Sequence, residues 1–180
     1  VARVAIIIFI LILVISSYIL IRDFLEFKES NNSRDDLIDE VIAIEDNEED
    51  INWNKLEMIN QDIIGWIEIE TTNINYPILK DNDSLKYLNH SFDNDYNSNG
   101  SIFTLNNNPF EDAETVIYGH NMKSGLMFSD LGKYMEREFF YEHSNFKIFT
   151  KNQNYKATVF SCYSIGVDVE ENNIKLLEFE

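Results

Sequence analysis

Length, composition and charge set the first limits on this chain. It has 180 residues, of which 44% are hydrophobic and 13% aromatic, so we expect one folded domain with attachments. The formal net charge of -18 argues against a nucleic-acid partner, because little in the chain can neutralise a row of phosphates. The single cysteine, Cys162, excludes an intrachain disulfide framework and a cysteine-rich zinc site.

The first 21 residues are the most apolar stretch of the chain. Only Arg3 and the run Ser16–Tyr18 interrupt it, and a helix of this length spans the hydrocarbon core of a bilayer. We therefore predict a transmembrane anchor over residues 1–21. The competing interpretation is a cleaved signal peptide, but such peptides usually have a shorter apolar region that ends on small residues of the Ala-x-Ala kind, and no such ending precedes Arg22.

Charges near the anchor predict its orientation. Arg3 and the amino terminus carry the positive charges on the leading side, and the chain turns acidic after Arg22. The positive-inside rule then places the N-terminus in the cytoplasm and the rest of this single-pass membrane protein outside the cell. Because the chain begins with Val1 and not with Met, we expect either a missed start or a piece of a longer reading frame.

Residues 22–50 form an acidic juxtamembrane segment with helical periodicity. Asn31-Asn32-Ser33 has the composition of a break followed by a helix start. We predict an amphipathic helix that packs on the flank of the domain and exposes a solvated acidic face, with an acidic partner site as the open alternative. The apolar positions are Leu37, Ile38, Val41, Ile42 and Ile44, and the acidic ones are Asp35, Asp36, Asp39, Glu40, Glu45 and Asp46.

From residue 51 onward the pattern changes to short strands with helices between them. This arrangement favours a mostly β fold, a mixed and largely antiparallel barrel or sheet, over an alternating βαβ fold. Pro77 predicts that the second strand lies at a sheet edge or ends there. The predicted elements are a helix over Trp53–Asn60, strands over Ile64–Ile69 and Ile74–Leu79, a helical turn over Ser84–Leu88, a strand over Gly100–Thr104, one or two short helices within Gly125–Phe140, and a hairpin of Phe146–Thr150 with Tyr155–Tyr163 across Lys151–Asn154.

The stretch Thr115–Met122 contains the residue best suited to chemistry. Thr115–Ile117 predicts a short strand, Gly119 lets the backbone bend, and His120 follows at once. A histidine just past a strand end stays partly wet and titrates near neutral pH, which suits proton transfer. The alternative is a loop histidine without a functional role.

A polar segment, Asp95-x-Asn97-x-Asn99-Gly100, matches the opening of a calcium-binding loop. The match fails at the twelfth position, because Asn106 cannot supply a bidentate carboxylate and a strand follows where a helix is required. We predict a solvated, asparagine-rich turn here, and no metal or cofactor.

Five motifs, in a fixed order, carry a family resemblance. They are Asp62–Ile67, Thr72–Ile78, Tyr87–His90, Gly100–Phe103, and Tyr118–Lys123 with Met127-Phe128 behind it. Together they resemble the class B sortases, which are cysteine transpeptidases on the surface of Gram-positive bacteria. The resemblance extends from about Trp53 to about Tyr163, and the apolar N-terminus and acidic segment also look like that family's layout.

The resemblance implies a sortase-like catalytic domain over residues 51–180, built as an eight-stranded barrel outside the membrane. Such enzymes cut a sorting signal, typically Asn-Pro-x-Thr-x in class B, near the C-terminus of a secreted surface protein. The cut forms a thioester on a cysteine, and the acyl group passes to an amine of peptidoglycan or its precursor. On the matching motif His120 is the proton-transfer residue, and an arginine stabilises the oxyanion or positions the substrate.

The chain departs from the family at two catalytic positions. Sortases carry the nucleophile in a Thr-Leu-x-Thr-Cys segment and the arginine on the next strand, and neither has a match here. No arginine follows Arg137, whose helix does not resemble the family's arginine strand. We therefore expect a truncated chain in which the last strands are missing and transpeptidase activity is lost. The alternatives are a nonfunctional remnant and a catalytically dead, membrane-anchored module that binds sorting signals.

The remaining cysteine and histidines have plainer expectations. Cys162 lies in a segment that does not match the catalytic motif, and alternation places it on the face of Thr158, Phe160 and Ser164. We predict a buried or half-buried structural thiol. His90 and His143 are predicted to be structural or surface residues.

Overall fold

The architecture is an open sheet with a long N-terminal helix and short helices between the strands. It comes from a computed structural model that describes residues 2–45, 48–82 and 84–164. The helices are α1 (Ala2–Val41), α2 (Trp53–Ile59) and α3 (Arg137–Glu142), with 3₁₀ turns over Lys86–Leu88 and Ser129–Met135. The strands are β1 (Ile42–Glu45), β2 (Glu48–Ile51), β3 (Ile63–Glu68), β4 (Asn75–Lys80), β5 (Ile102–Thr104), β6 (Ile117–Tyr118), β7 (Asn145–Thr150) and β8 (Asn154–Thr158).

Helix α1 joins the apolar N-terminus and the acidic segment in 40 continuous residues. The predicted break at Asn31-Asn32-Ser33 is wrong, because the helix continues through these residues. Each of them costs about 0.5 kcal/mol in a helix interior, and tertiary packing outweighs that cost. Leu37 and Val41 near its end are buried in the core. The N-terminal part of α1 is long and apolar enough to cross a membrane.

The helix ends earlier than the periodicity of the acidic segment predicts. Ile42 and Ile44 belong to β1, which pairs antiparallel with β2 and sets Ile42 opposite Ile51. Isoleucine is stiff at χ1 and fits strands well, so a hairpin competes successfully with one more helical turn. The extension of the helix through Ile44 is therefore wrong. Asp46, assigned to the same acidic face, lies outside the described residues.

The main sheet has six strands among the described residues, in the order β6-β5-β4-β3-β7-β8. Its neighbours pair antiparallel except for β4 and β5, which run parallel. The prediction of a mixed, largely antiparallel sheet with inserted short helices is confirmed. The family resemblance implies an eight-stranded barrel. In the described part of the chain the main sheet has six strands, and β1 and β2 form a separate hairpin.

Strand β4 lies inside the sheet, so the prediction of an edge position from Pro77 is wrong. Pro77 pairs with Trp66 of β3, while the pairing with β5 begins one residue later, at Ile78 opposite Ile102. Proline lacks the backbone N–H that a second neighbouring strand would need. The sheet accepts it because β5 joins β4 only beyond this residue.

Each face of the sheet is covered by a separate apolar cluster. One cluster places Trp66, Leu79 and Phe103 against α1 and α2, where Leu56 is fully buried. The other places Ile67, Ile78, Ile102 and Ile148 against the loop and turns that follow β6, including Leu126 and Tyr134. Burying one such side chain stabilises the fold by about 1.5 to 3 kcal/mol, so both faces contribute to holding β5 and β6 in place.

The C-terminal hairpin is shorter than predicted. Strand β8 ends at Thr158, and the Val159 N–H that follows donates to the Ser144 carbonyl at 2.7 Å. Phe160 is 94% exposed, so the alternation that places Cys162 on a common face with Thr158 and Phe160 does not continue. Cys162 reaches its half-buried position from irregular chain instead of from a strand.

Candidate active site

The shortest strand of the sheet positions the candidate histidine. Strand β6 pairs antiparallel with β5, with Tyr118 opposite Phe103. The two rings stack with their centroids 5.4 Å apart. Gly119 follows where a Cβ would lie 2.4 Å from the Ile102 Cδ1 atom and 2.7 Å from the Phe128 ring, so glycine lets the chain pass these side chains without displacing them.

The strand begins two residues later than the predicted Thr115–Ile117. Thr115 and Val116 are held by hydrogen bonds to loop residues and not by a ladder. The Thr115 hydroxyl accepts from the Phe110 N–H at 2.9 Å, and the Asn106 side-chain oxygen accepts from the Val116 N–H at 2.9 Å. The β-branched run predicts extended chain correctly, but side chains from the loop take the place of a neighbouring strand.

The His120 ring is half-buried and is hydrogen-bonded to the backbone carbonyl of Leu88. Its Nε2 atom lies 2.7 Å from the Leu88 oxygen. A carbonyl oxygen only accepts hydrogen bonds, so Nε2 carries the proton in this arrangement. In the neutral ring Nδ1 is then the basic nitrogen, which is the form that a proton acceptor requires.

The Leu88 carbonyl is positioned by the 3₁₀ turn Lys86–Leu88, and Asp81 caps that turn. The Asp81 carboxylate accepts hydrogen bonds from the Ser84 hydroxyl at 2.6 Å, the Ser84 N–H at 3.0 Å and the Tyr87 N–H at 3.4 Å. Burial by itself raises the pKa of Asp81, but these bonds outweigh burial and hold the pKa below its usual value. The turn is thus built around an ionised carboxylate.

Tyr87 anchors the 3₁₀ turn to the core. Its ring is buried, and its hydroxyl donates to the Asp62 carboxylate at 2.6 Å and accepts from the Asn60 amide at 2.9 Å. Burial first, and then the bond to Asp62, raise the pKa of Tyr87. The hydroxyl therefore stays protonated and keeps its donor role over the whole physiological range.

A second glycine fixes the same turn from the other side. Gly100 has a φ of +62°, and a Cβ there would lie 2.6 Å from the carbonyl oxygens of both Tyr87 and Leu88. The next residue, Ser101, donates its N–H to the Tyr87 carbonyl at 2.9 Å. The close approach of this backbone holds the Leu88 carbonyl in the direction of His120.

The loop after His120 folds back onto it. The Phe128 N–H donates to the His120 carbonyl at 2.9 Å, and Asn121 and Met127 form an antiparallel bridge. The Met127 N–H in turn donates to the Tyr76 hydroxyl at 3.1 Å. Both the ring and the backbone of His120 are therefore held by neighbouring elements, which is the preorganisation that proton transfer needs.

The other predicted residues have contacts of their own. His90 places Nδ1 2.9 Å from the Lys86 carbonyl, and the His143 ring packs 4.6 Å from Phe139. The Cys162 sulfur lies 3.7 Å from both the Leu131 carbonyl and the Met135 sulfur, against the second 3₁₀ turn and not against the His120 turn. These positions agree with structural roles for His90 and His143 and with a half-buried thiol at Cys162.

The asparagine-rich segment is tied to helix α1. The side-chain amides of Asn97 and Asn99 both donate to the Ser30 hydroxyl, at 2.7 and 2.8 Å. Asn97 also accepts from the Asn99 N–H at 2.9 Å. Within the described residues, no group of three acidic, histidine or cysteine side chains is arranged to hold a metal ion.

Three residues support His120 in a way that the sequence did not predict: Asp81, which no motif included, and Tyr87 and Gly100, which entered only as parts of motifs. Asp81 lies three residues before Ser84, and an aspartate in such a position often accepts hydrogen bonds from the backbone of the turn that follows it. Gly100 follows an asparagine in a turn-rich segment, which is a sequence signal for positive φ. No sequence signal indicates that both of them support the carbonyl that His120 contacts.

Comparison with known proteins gives this geometry a context. A family profile described as the sortase domain matches residues 67–178, which is more than half of the chain. Sortase B of Listeria monocytogenes is 42% identical over 115 residues, which cover 63% of this chain and 47% of that protein.

Solved structures agree in fold. Sortase B of B. anthracis, in complex with AAEK1, is 29% identical with a TM-score of 0.66, covering 82% of this chain and 75% of that one. The Staphylococcus aureus sortase B-substrate complex is 34% identical with a TM-score of 0.57, covering 60% of this chain and 51% of that one. The chain thus spans about half the length of the Listeria protein and of the solved Staphylococcus chain.

Proposed function

Because the chain belongs to the sortase family, and within it to class B, we propose that it is the histidine-bearing part of a cysteine transpeptidase that attaches surface proteins to the cell wall. One observation carries this proposal: His120 lies at the end of β6 with its Nε2–H directed at the Leu88 carbonyl, 2.7 Å away. That contact supports Nδ1 as the basic nitrogen of a proton-transfer residue.

The proposed reaction has two halves that His120 links. A thiolate attacks the threonine carbonyl of the sorting signal, the C–N bond breaks, and the leaving amine takes a proton from the imidazolium ring. An acceptor amine then attacks the thioester, the C–S bond breaks, and the ring accepts the proton that the amine releases. The family's Thr-Leu-x-Thr-Cys segment and its arginine have no match in these 180 residues, so His120 is the one catalytic residue assigned here.

The proposed substrates follow from the class. The donor is a secreted protein with an Asn-Pro-x-Thr-type sorting signal, and the acceptor is an amine of peptidoglycan or its precursor. The similarity to a sortase B solved with its substrate supports a peptide donor. These 180 residues alone are expected to lack transpeptidase activity, because they carry no match to the nucleophile segment.

Membrane attachment through α1 belongs to the same proposal. The apolar part of the helix is the support for a single-pass anchor, and Arg3 before it supports a cytoplasmic N-terminus with the sheet outside the cell. An enzyme that joins secreted proteins to the wall needs its catalytic groups on that outer side.

The test uses the reading frame continued through the codon for Glu180. We expect it to encode Thr-Leu-x-Thr-Cys and then an arginine, and we expect its product to join an Asn-Pro-x-Thr peptide to an amine. His120→Ala should lower kcat by about 10²- to 10⁴-fold, because it removes general acid–base catalysis. His90→Ala is the matched control and should retain most of the activity.

Two outcomes contradict the proposal. A natural reading frame that encodes no thiol segment removes the nucleophile and with it the transpeptidase. Peptide binding without cleavage by the product of the complete frame favours a sorting-signal binding module instead.

A further inference from the structure

Helix α1 is connected to the loop after His120 through one buried tyrosine. Tyr76 lies on β4, where it pairs with Ile67 of β3, and its side chain is buried. Its hydroxyl accepts one hydrogen bond from the Arg34 guanidinium of α1 and another from the Met127 N–H, each at 3.1 Å. A single oxygen atom therefore joins the helix to the histidine loop.

Arg34 approaches Tyr76 in a well-defined geometry. The guanidinium carbon lies 5.4 Å from the centre of the Tyr76 ring, so the cation packs over the aromatic face as well as bonding the hydroxyl. Its Nε and Nη2 atoms donate to the Asp35 carboxylate at 3.0 and 2.7 Å. A planar guanidinium that is held at several atoms loses little freedom with each further bond, so α1 presents a preformed donor to Tyr76.

Met127 is the point in the loop that most needs this support. It has a φ of +54°, a left-handed conformation that is unfavourable for a residue with a Cβ. It is buried, and it forms the antiparallel bridge with Asn121, the residue that follows His120. A strained backbone persists only where its surroundings over-determine it. The Tyr76 hydroxyl supplies one such constraint at the Met127 N–H.

The residue after Met127 closes the loop on the histidine itself. The Phe128 N–H donates to the His120 carbonyl at 2.9 Å, so residues 121–127 begin and end beside His120. The His120 ring meets the Leu88 carbonyl, which belongs to a different segment of chain. A shift of the loop therefore changes the distance between the ring and that carbonyl.

We propose that Tyr76 is a positioning residue for His120 and that Arg34 makes α1 part of the same unit. The Tyr76 hydroxyl fixes Met127, Met127 fixes the end of the loop, and the loop holds the His120 backbone where Nε2–H meets the Leu88 carbonyl. Tyr76 acts through the loop backbone and not on the reacting atoms. The consequence for catalysis rests on the proposed function, whereas the linkage is a property of these 180 residues.

The first experiment compares Tyr76→Phe with Tyr134→Phe in the full 180-residue chain in detergent micelles. Tyr134 is the matched control, because it is similarly buried in the same apolar cluster and donates its hydroxyl to the His143 carbonyl at 2.8 Å. Only Tyr76→Phe leaves the Met127 N–H without this acceptor. We expect amide hydrogen exchange at Met127 to be at least about tenfold faster in Tyr76→Phe than in Tyr134→Phe, because the loop opens more readily.

The His120 ring supplies a readout that a merely structural role would not change. In mildly alkaline solution, where imidazole rings are neutral, ¹⁵N shifts report the ratio of the Nε2–H to the Nδ1–H tautomer. The bond to the Leu88 carbonyl favours Nε2–H. We expect that ratio to fall at least about threefold in Tyr76→Phe and to stay at the parent value in Tyr134→Phe.

A double-mutant cycle tests the part played by α1. Arg34→Met keeps most of the side-chain length and removes its donors, and Arg22→Met, at an exposed arginine of the same helix, is the control. Arg34→Met should speed Met127 exchange at least about threefold in the parent and have little further effect in Tyr76→Phe. Independent effects of the two substitutions overturn the link to α1. If Tyr76→Phe does not fold, Arg34→Met decides alone, because an unchanged ring tautomer then overturns the linkage.

Failures of this proposal and of the proposed function are distinguishable. Unchanged Met127 exchange and unchanged ring shifts in Tyr76→Phe overturn the positioning role, whatever the complete protein catalyses. Changed exchange and shifts, with no transpeptidation by the product of the complete reading frame, support the linkage and overturn the proposed function. In an active product, Tyr76→Phe should lower kcat about tenfold and change KM less than about twofold. An equal loss of kcat in Tyr134→Phe overturns the positioning role.

Discussion

The orientation of the candidate histidine ring depends on a backbone carbonyl, so the side chains that fix this orientation act through the backbone and do not touch the ring. No side chain can be exchanged to remove the Leu88 oxygen that His120 contacts. The residues that aim this oxygen are instead Asp81, which caps the turn, and Gly100, whose backbone lies against it. Substitutions at these two positions therefore report on the histidine without touching it.

Gly100→Ala should displace the turn and shift the tautomer balance of His120. A Cβ at Gly100 meets two carbonyl oxygens at 2.6 Å, whereas at Gly125, with φ of +90°, the nearest atom is 4.0 Å away. Gly125→Ala, the control, should cost about 1 to 2 kcal/mol of backbone strain. Gly100→Ala should cost about 1 to 3 kcal/mol more from overpacking. Urea unfolding gives the costs, and ¹⁵N chemical shifts of the ring give the tautomer; equal effects at both glycines would contradict this geometry.

Asp81→Asn should destabilise the fold in a pH-dependent way. The folded state holds the pKa of Asp81 low, so its stabilisation is present above the ordinary aspartate pKa of about 3.9 and is lost as pH falls through the folded value. At pH 7 the variant should lose about 1 to 3 kcal/mol of unfolding free energy, the usual cost of a lost charged hydrogen bond. The difference from the parent should shrink below about pH 4. The exposed Asp112→Asn is the control, and a pH-independent difference would count against an ionised cap.

At the scale of elements, α1 contributes to two structures at once. Its N-terminal part is exposed and apolar, while its last turns bury Leu37 and Val41 against the sheet. Between them, Ser30 accepts hydrogen bonds from two asparagines of the loop that precedes β5. This loop also contains Gly100, so the helix and the His120 turn are connected through a single segment of chain.

Ser30→Ala should loosen that connection. It leaves the amides of Asn97 and Asn99 without this acceptor, and Asn99 is buried. A buried polar group without a partner costs about 1 to 3 kcal/mol, so we expect a loss in that range. Ser33→Ala, on the same helix and lining the same cavity, should cost much less. Thermal unfolding in detergent compares the two variants, and equal stability of both would show that the hydrogen bonds of Ser30 to Asn97 and Asn99 do not stabilise the fold.

At the scale of the whole molecule, charge is the dominant feature. A net charge of -18 on 180 residues produces self-repulsion that opposes compaction. It also disfavours anionic partners and lipid surfaces of the same sign.

Added salt should therefore stabilise the protein. Raising NaCl from about 0.01 to 0.5 M shortens the screening length from about 30 to under 8 Å, which weakens repulsion between surface carboxylates. We expect Tm to rise by about 2 to 4 °C, the change that corresponds to about 1 kcal/mol in a chain of this size. KCl should act equally, because screening does not depend on the cation. A fall in Tm would show that attractive ion pairs outweigh the net charge.

Local sequence predicted the elements whose signals lie within a few neighbouring residues. The strands around Trp66, Ile78, Phe103 and Ile148 alternate or carry β-branched residues, and the short helices after Gly125 follow their spacing. The predictions failed where distant contacts decide: helix α1 continues through Asn31, and Pro77 lies within the sheet. At Asn31 tertiary packing outweighs a local preference of a few tenths of a kcal/mol, and at Pro77 the neighbouring strand β5 begins to pair only one residue later, so no hydrogen bond from Pro77 is required.

The order of residues by itself determined the apolar N-terminal helix, the acidic surface, the short-stranded sheet and the choice of His120, because each depends on composition or on neighbours along the chain. Only the tertiary structure decided which oxygen His120 contacts and how Asp81, Tyr87 and Gly100 hold that oxygen in place. Asp81, Tyr87 and Gly100 precede His120 by 39, 33 and 20 positions, and turns and sheet pairing bring them near it; separations of this size leave no periodic trace in a sequence. Position in the chain therefore selects the candidate side chain, whereas its orientation is a property of the fold.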